Sequence, residues 1–329
     1  MSAVMDQLFE RLDIHPILVE VGATGPTPIV WNEIARHGKY IGLGRDAAVG
    51  NLKCRRSFYH TELLEDLIVP SEEAYGAAPF HVAQNSIYSS LLLPNPTVQN
   101  DFLARECSFQ EKVALRATTL NAVVERLSLP TVDWLYINVN GVDVPIFKSL
   151  KAEIRNRVLA VDVVMYLVDL RINDREFGKD YTEMIASGFW LSRMYPYGFV
   201  RMRPKSLQRL TAIDKKITEK FINEQHRLAP NWVFVRYFRT LDSMKAGGFV
   251  RRDYVLLWSF AIVDWQIGYA ADVMFEYERI FGADDVFQLM RKETTSRLRG
   301  MQPKLSVRNL VRKYVPMPVR NLIRRVLFG

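Results

Sequence analysis

The sequence predicts an α/β protein built on a mostly parallel sheet, and three features carry that prediction. A β-rich run, ILVEV at residues 17–21, ends on a glycine-bearing turn and is followed by a helical stretch and a second β-rich run. Two later segments, VDWLYINV at 132–139 and VLAVDVVMYL at 158–167, are nearly unbroken apolar runs, as expected of central parallel strands covered on both faces. The 329-residue chain is 49% hydrophobic and 24% charged, a mixture able to bury a large core.

The elements follow in order. The first strand stops at Gly22-Ala-Thr-Gly25-Pro26, a cluster of chain breakers. Residues 29–37 read as a helix and KYIGL (39–43) as the second strand, the opening of a βαβ series. FYH (58–60) and FHVAQ (80–84) read as short strands, and SIYSSLLLPNP (86–96) as a loop, because Pro94 and Pro96 disfavour a regular element. VALRATTL (113–120) reads as a strand leading into a helix over 120–127, and residues 181–187 as a further helix. FWLSRM (189–194) and WVFVRYF (232–238) give the last two strands, with a charged helical insertion at 205–230 between them. After residue 240 the pattern is helical, with helices expected over 251–281 and 284–299. The expected organisation is an α/β domain over 1–240, a helical appendage over 241–302 and a basic tail over 303–329.

Several classes of protein are disfavoured. No apolar run reaches the length of a bilayer span; the nearest, at 254–267, is interrupted by Asp264. The first sixteen residues lack an apolar signal core, so a cytoplasmic location is expected. Cys54 and Cys107 and the five histidines have no metal-ligand spacing, so no metal is expected.

A strand ending in an acidic residue, followed by G-x-x-G at the start of a helix, lets backbone approach a ligand closely and presents free N–H groups to it. Such a ligand sits outside the carboxyl ends of the strands. Alone, the pattern is equally a strand-to-helix turn. Four stretches in order, LVEVGATGPTPIVW, KYIGLGRDA, SIYSSLLLPNP and TTLNAVVERLSLPTVDWLYINVNGVDVPIF, make the chain resemble the FkbM family of methyltransferases over about residues 18–238. The resemblance implies a Rossmann-like class I methyltransferase sheet, S-adenosylmethionine as cofactor, and O-methylation of a sugar hydroxyl on a glycan or lipid-linked precursor. It assigns cofactor contacts to Glu20, Gly22, Ala23 and Gly25 and to Asn138, Asn140 and Gly141, with Asp46 as the nearest carboxylate after the second strand. It assigns acceptor contacts to Ser89, Ser90 and Asn95, which are equally loop hydrogen-bonding residues.

The sequence also departs from the family. Gly44-Arg45 stands where the family has an acidic residue that accepts the ribose hydroxyls, and Asn138 stands where it has an aspartate. An amide cannot act as a general base. Asp143, Asp162 and His81 remain as candidates to take the acceptor proton. Each has a structural alternative: a cap for Asp143, a buried strand residue for Asp162 and a half-exposed strand residue for His81. The missing carboxylates keep a second reading open, a methyltransferase-like binding or scaffold protein without activity.

The formal charge of +8 is concentrated at the end of the chain, where residues 303–329 carry seven basic and no acidic side chains. Val307, Leu310, Val311, Tyr314 and Val315, then Val319, Leu322, Ile323, Val326 and Leu327, each form a helical apolar stripe. Two basic amphipathic helices joined by Pro316-Met-Pro318 suit the anionic inner face of a membrane, each cation adding on the order of 1 kcal/mol. They suit packing on protein equally well. Nucleic acid is not expected as a partner, because no basic groove interleaved with aromatics accompanies the charge.

Overall fold

A computed structural model describes residues 3–44, 57–172, 176–225 and 228–300. Its strands are β1 (Ile17–Val21), β2 (Lys39–Leu43), β3 (His60–Leu64), β4 (Leu67–Val69), β5 (Ala78–Ala83), β6 (Phe109–Leu115), β7 (Ala117–Thr119), β8 (Trp134–Ile137), β9 (Ala160–Tyr166), β10 (Phe189–Phe199) and β11 (Ala229–Arg239). Its main helices are α1 (Ala3–Arg11), α2 (Leu120–Arg126), α3 (Asp143–Ser149), α4 (Phe177–Ala186), α5 (Pro204–Ile213), α6 (Glu219–Gln225), α7 (Leu241–Ala246), α8 (Arg251–Val263), α9 (Ile267–Phe281) and α10 (Asp285–Gly300).

Seven strands form one sheet in the order β3-β2-β1-β8-β9-β11-β10. Neighbours from β3 to β9 pair in parallel, and β11 runs against both β9 and β10. This is the Rossmann-like class I methyltransferase sheet that the resemblance implies. Because β11 is reversed, the β10–β11 connection lies at the carboxyl edge of the parallel strands, and α5 and α6 occupy it.

Alternation along the strands feeds two cores. Ile17, Val19, Val21, Ile41, Leu135, Val161 and Val163 pack with α2 and α3 on one face. Leu18, Tyr40, Trp134, Ala160 and Phe238 face the other side and merge with Val4, Met5, Leu8 and Phe9 of α1 and with α8, α9 and α10. Every residue from Tyr254 to Val263 is buried, so α8 is apolar all round and lies inside this layer.

Several elements differ from expectation. The strand expected at 58–60 is β3, from His60 to Leu64, and the one expected over 113–120 divides at Arg116 into β6 and β7, which belong to different sheets. Residues 29–37 form two short 3-10 turns, Ile29–Glu33 and Ala35–His37, in place of an α-helix. Pro28 caps the first and Gly38 follows the second, leaving too little chain for a helix to propagate once nucleated. The helix expected over 251–281 breaks at Asp264–Gln266 into α8 and α9, with Trp265 in the left-handed region at φ 61°. Side chains hold the break: Ser192 Oγ donates to Asp264 Oδ2 at 2.9 Å, and Gln266 Nε2 donates to the Ser192 carbonyl at 2.8 Å.

Candidate functional site

The site begins where β1 ends. Gly22 has φ +88°, and a Cβ there would lie 2.2 Å from the Asn138 carbonyl oxygen. The N–H groups of Gly22 and Ala23 both donate to the Leu43 carbonyl, at 2.8 and 3.0 Å, binding the ends of β1 and β2 together. Above this floor is a cavity of about 280 Å³ at the carboxyl ends of β1, β2 and β8, near the lower end of the size of ligand pockets. Gly22, Thr24, Gly44, Asn138 and Asn140 line it, with an apolar wall of Leu43, Ile68, Phe80 and Leu91.

Asn140, at φ 63°, fastens one side of the cavity. Its Nδ2 donates to the carbonyls of Ile87 and Ser89 at 2.7 and 3.0 Å, and its Oδ1 accepts from the Tyr166 hydroxyl at 2.8 Å. Ser90 Oγ donates to the Asn140 carbonyl at 2.6 Å, and Ser89 Oγ accepts from the Ala83 N–H at 3.0 Å. The Asn140 amide and the two serines thus hold the segment 86–92 over the cavity through their own hydrogen bonds. Asn95 stands before the single turn Pro96–Gln99, makes no capping bond with its side chain, and does not line the cavity.

The other predicted residues are dispersed. Glu20 is buried on the opposite face, where it accepts from the Tyr40 hydroxyl at 2.6 Å. Nothing lies within 4 Å of a Cβ placed on Gly25. Asp143 Oδ1 accepts from the Val164 N–H at 3.1 Å and its Oδ2 from the Gly141 N–H at 3.3 Å. Burial pushes the Asp143 carboxyl up to about 7 despite these donors. Asp162 receives both Nε and Nη2 of Arg236, at 2.7 and 2.9 Å, and is fully buried. His81 sits on β5, its main chain paired with Ser90; burial and then Lys112 lower its pKa. Asp46 and the tail 303–329 lie outside the described residues.

Sequence reading missed a second cleft, of about 520 Å³, bounded by the segment after the glycine turn, by β8, β10 and β11, and by the α8–α9 break. Tyr136, Arg193, Tyr195, Tyr197, Phe234 and Trp265 are among its walls. The recurrence of Arg193, Tyr195 and Tyr197 at every second position of β10 was the available signal. Beneath the cleft, Arg236 bridges Asp162 to Asp264, and Arg193 Nε lies 2.8 Å from Asp264 Oδ1. Burial works against the Arg236 charge, but the two carboxylates hold its pKa above the ordinary value. Tyr136, which lines the cleft, and Asn138, which lines the cavity, lie two residues apart at the end of β8. Burial, followed by the charges of Asp162 and Glu20, raises the Tyr136 phenol above its usual range.

Arg171 was also missed. It is buried, stacks 4.7 Å from the Tyr166 ring centre, donates from Nη2 to the Tyr88 carbonyl, and has no hydrogen-bond partner for Nη1. A larger cleft, of about 840 Å³, lies between residues 93–109 and α5, and none of the predicted site residues lines it. Among the described residues, no cluster of His, Cys, Asp or Glu could hold a metal ion, and no helix is long and apolar enough to cross a membrane.

The strand order, with a glycine-floored cavity at the carboxyl edge, defines a Rossmann-like class I methyltransferase fold. No protein-family model matches the chain, and no curated protein matches it. Among solved structures, it is similar to a TehB-like SAM-dependent methyltransferase from Corynebacterium glutamicum, with 6% identity, 72% of this chain and 88% of that chain covered, and a TM-score of 0.28. It is also similar to a 30S ribosomal A1408 methyltransferase from an uncultured bacterium, with 11% identity, 73% and 96% covered, and a TM-score of 0.25.

Proposed function

We propose that the chain is an S-adenosylmethionine-dependent O-methyltransferase of FkbM type, with the cofactor over Gly22 and the acceptor in the cleft at Tyr136. The observation that carries this reading is the cavity floor, where the Gly22 backbone lies so close to Asn138 that no side chain fits. A cradle of bare backbone beside the apolar wall of Leu43, Ile68 and Leu91 fits a nucleoside-bearing cofactor. The cofactor would supply an activated methyl group. The chain's residues supply alignment, which contributes about 7–11 kcal/mol in favourable cases. Tyr136, in the wall of the cleft, would hydrogen-bond an acceptor hydroxyl. Exposed Tyr195, Tyr197 and Trp265 beside Arg193 and Glu33 support a hydroxyl-bearing ring, such as a sugar of a glycan or lipid-linked precursor, as the acceptor. The basic tail 303–329 would hold the protein at an anionic membrane surface.

Calorimetric titration with S-adenosylmethionine and its demethylated product tests the central claim, with micromolar binding expected. Absence of binding at millimolar ligand would sink it. One observation favours the second reading, a binding or scaffold protein: Gly44 and Asn138 stand at the two positions where the family carries carboxylates. Cofactor binding with no methyl transfer to any hydroxyl acceptor would support that reading.

A further inference from the structure

The mouth of the Tyr136 cleft carries exposed apolar side chains. Ile29 is 83% exposed and Trp265 is 51% exposed, and both line this cleft. Arg297 places its guanidinium 5.4 Å from the Trp265 ring centre and pairs with Glu33 at 2.8 Å, so the last turns of α10 run along the same rim. Leu298, the next residue of α10, is 46% exposed. Three residues beyond Arg297, at Gly300, the described chain ends, roughly 4.5 Å further along the helix axis. The described chain therefore ends close to this rim, and the basic amphipathic segment 303–329 follows it in the sequence.

We infer that Ile29, Trp265 and Leu298 form a bilayer-docking face, which the tail brings against anionic lipid so that the cleft opens onto the membrane surface. The partner follows from the residue types. An indole with neighbouring aliphatic side chains partitions into the headgroup region, and basic side chains of a following segment meet lipid phosphates. At the rim Arg193 and Arg297 are each paired with carboxylates, Asp264 and Glu33, so the attraction to an anionic leaflet is supplied by the seven basic residues of 303–329. The inference takes the bilayer as partner from the tail reading but does not depend on methyl transfer.

The test uses the full chain with phosphatidylglycerol vesicles containing brominated acyl chains, which quench indole emission on contact. Trp265 is the exposed tryptophan; Trp31, Trp134 and Trp258 are fully buried, and Trp190 and Trp232 are partly so. Quenching is expected, and Trp265→Phe should abolish most of it while vesicle binding persists. The double variant Ile29→Asp, Leu298→Asp should lower partitioning about tenfold and leave the melting temperature unchanged. Vesicle binding with Trp265 unquenched, or with the double variant partitioning like the parent, would overturn the docking face and leave the tail reading standing. Failure of the full chain to bind anionic vesicles would overturn both. A concentration-dependent dimer abolished by Ile29→Asp would assign the face to a second copy instead.

Discussion

At Gly22 a single missing carbon decides whether β1 and β8 can close on each other. Gly22→Ala would place a methyl carbon 2.2 Å from the Asn138 oxygen at φ +88°, a combination that must push the strand ends apart. The left-handed backbone alone costs about 1–2 kcal/mol. Gly22→Ala should therefore lower stability in urea by at least that amount and abolish cofactor binding. Gly25→Ala, which meets nothing within 4 Å, should alter neither. The pattern E-x-G-x-x-G shows both glycines, but only geometry separates the one that is required. Asp143 is a second residue whose role depends on its surroundings. Its carboxyl, pushed to about 7 by burial, lies above the value of an unfolded chain, near 3.8. Between those two values the folded protein keeps a proton that the unfolded chain releases, so stability falls as pH rises from about 4 to about 7 and levels off above. The loss attributable to this group is on the order of 4 kcal/mol. Urea unfolding at pH 5 and pH 8 should show a smaller difference for Asp143→Asn than for the parent. Neither that burial nor the Asn140 clamp was legible, because their partners, Val164 and residues 87–90, lie some 20 to 50 positions away.

Between elements, the ion pairs of Arg236 join β9 and β11 to the break between α8 and α9. Removing one member of a buried charged group costs about 3–5 kcal/mol, because its partners are left without a counter-charge. Arg236→Met should lower the free energy of unfolding by that amount, measured in urea. Adding Asp162→Asn should restore part of it, since one stranded carboxylate is then gone. The sequence displays β1 and β2 over their observed spans, because short apolar runs between breakers have only one extended reading. It hides the break at Asp264–Gln266, where no glycine or proline marks the stop and side chains from β10 and β11 supply it. It likewise hides α1, whose Val4, Met5, Leu8 and Phe9 form a narrow apolar stripe on nine residues.

For the whole molecule, the question is what the helices after residue 240 do. Their apolar side chains share one core with α1 and with the Leu18, Tyr40 and Trp134 face of the sheet, and Trp134 packs 4.8 Å from Phe260. A chain ending at Thr240 would expose that face and should show no cooperative unfolding transition by circular dichroism. Removing only residues 303–329 should leave the transition where it is. The alternation of strand and helix made an α/β sheet legible, but the position of α8 inside the layer follows from packing that no local pattern encodes.

The reversed strand β11 has a consequence for how such a molecule can change. The connection from β10 to β11 closes a hairpin at the sheet margin, and its helices α5 and α6 hang from two strand ends that already pair along their length. Lengthening a closed loop costs little, about 0.6 kcal/mol for each doubling. That segment is thus an interchangeable part: a different cover can be grafted between Phe199 and Ala229 while the register of the seven strands, and the glycine floor they hold, stays as it is.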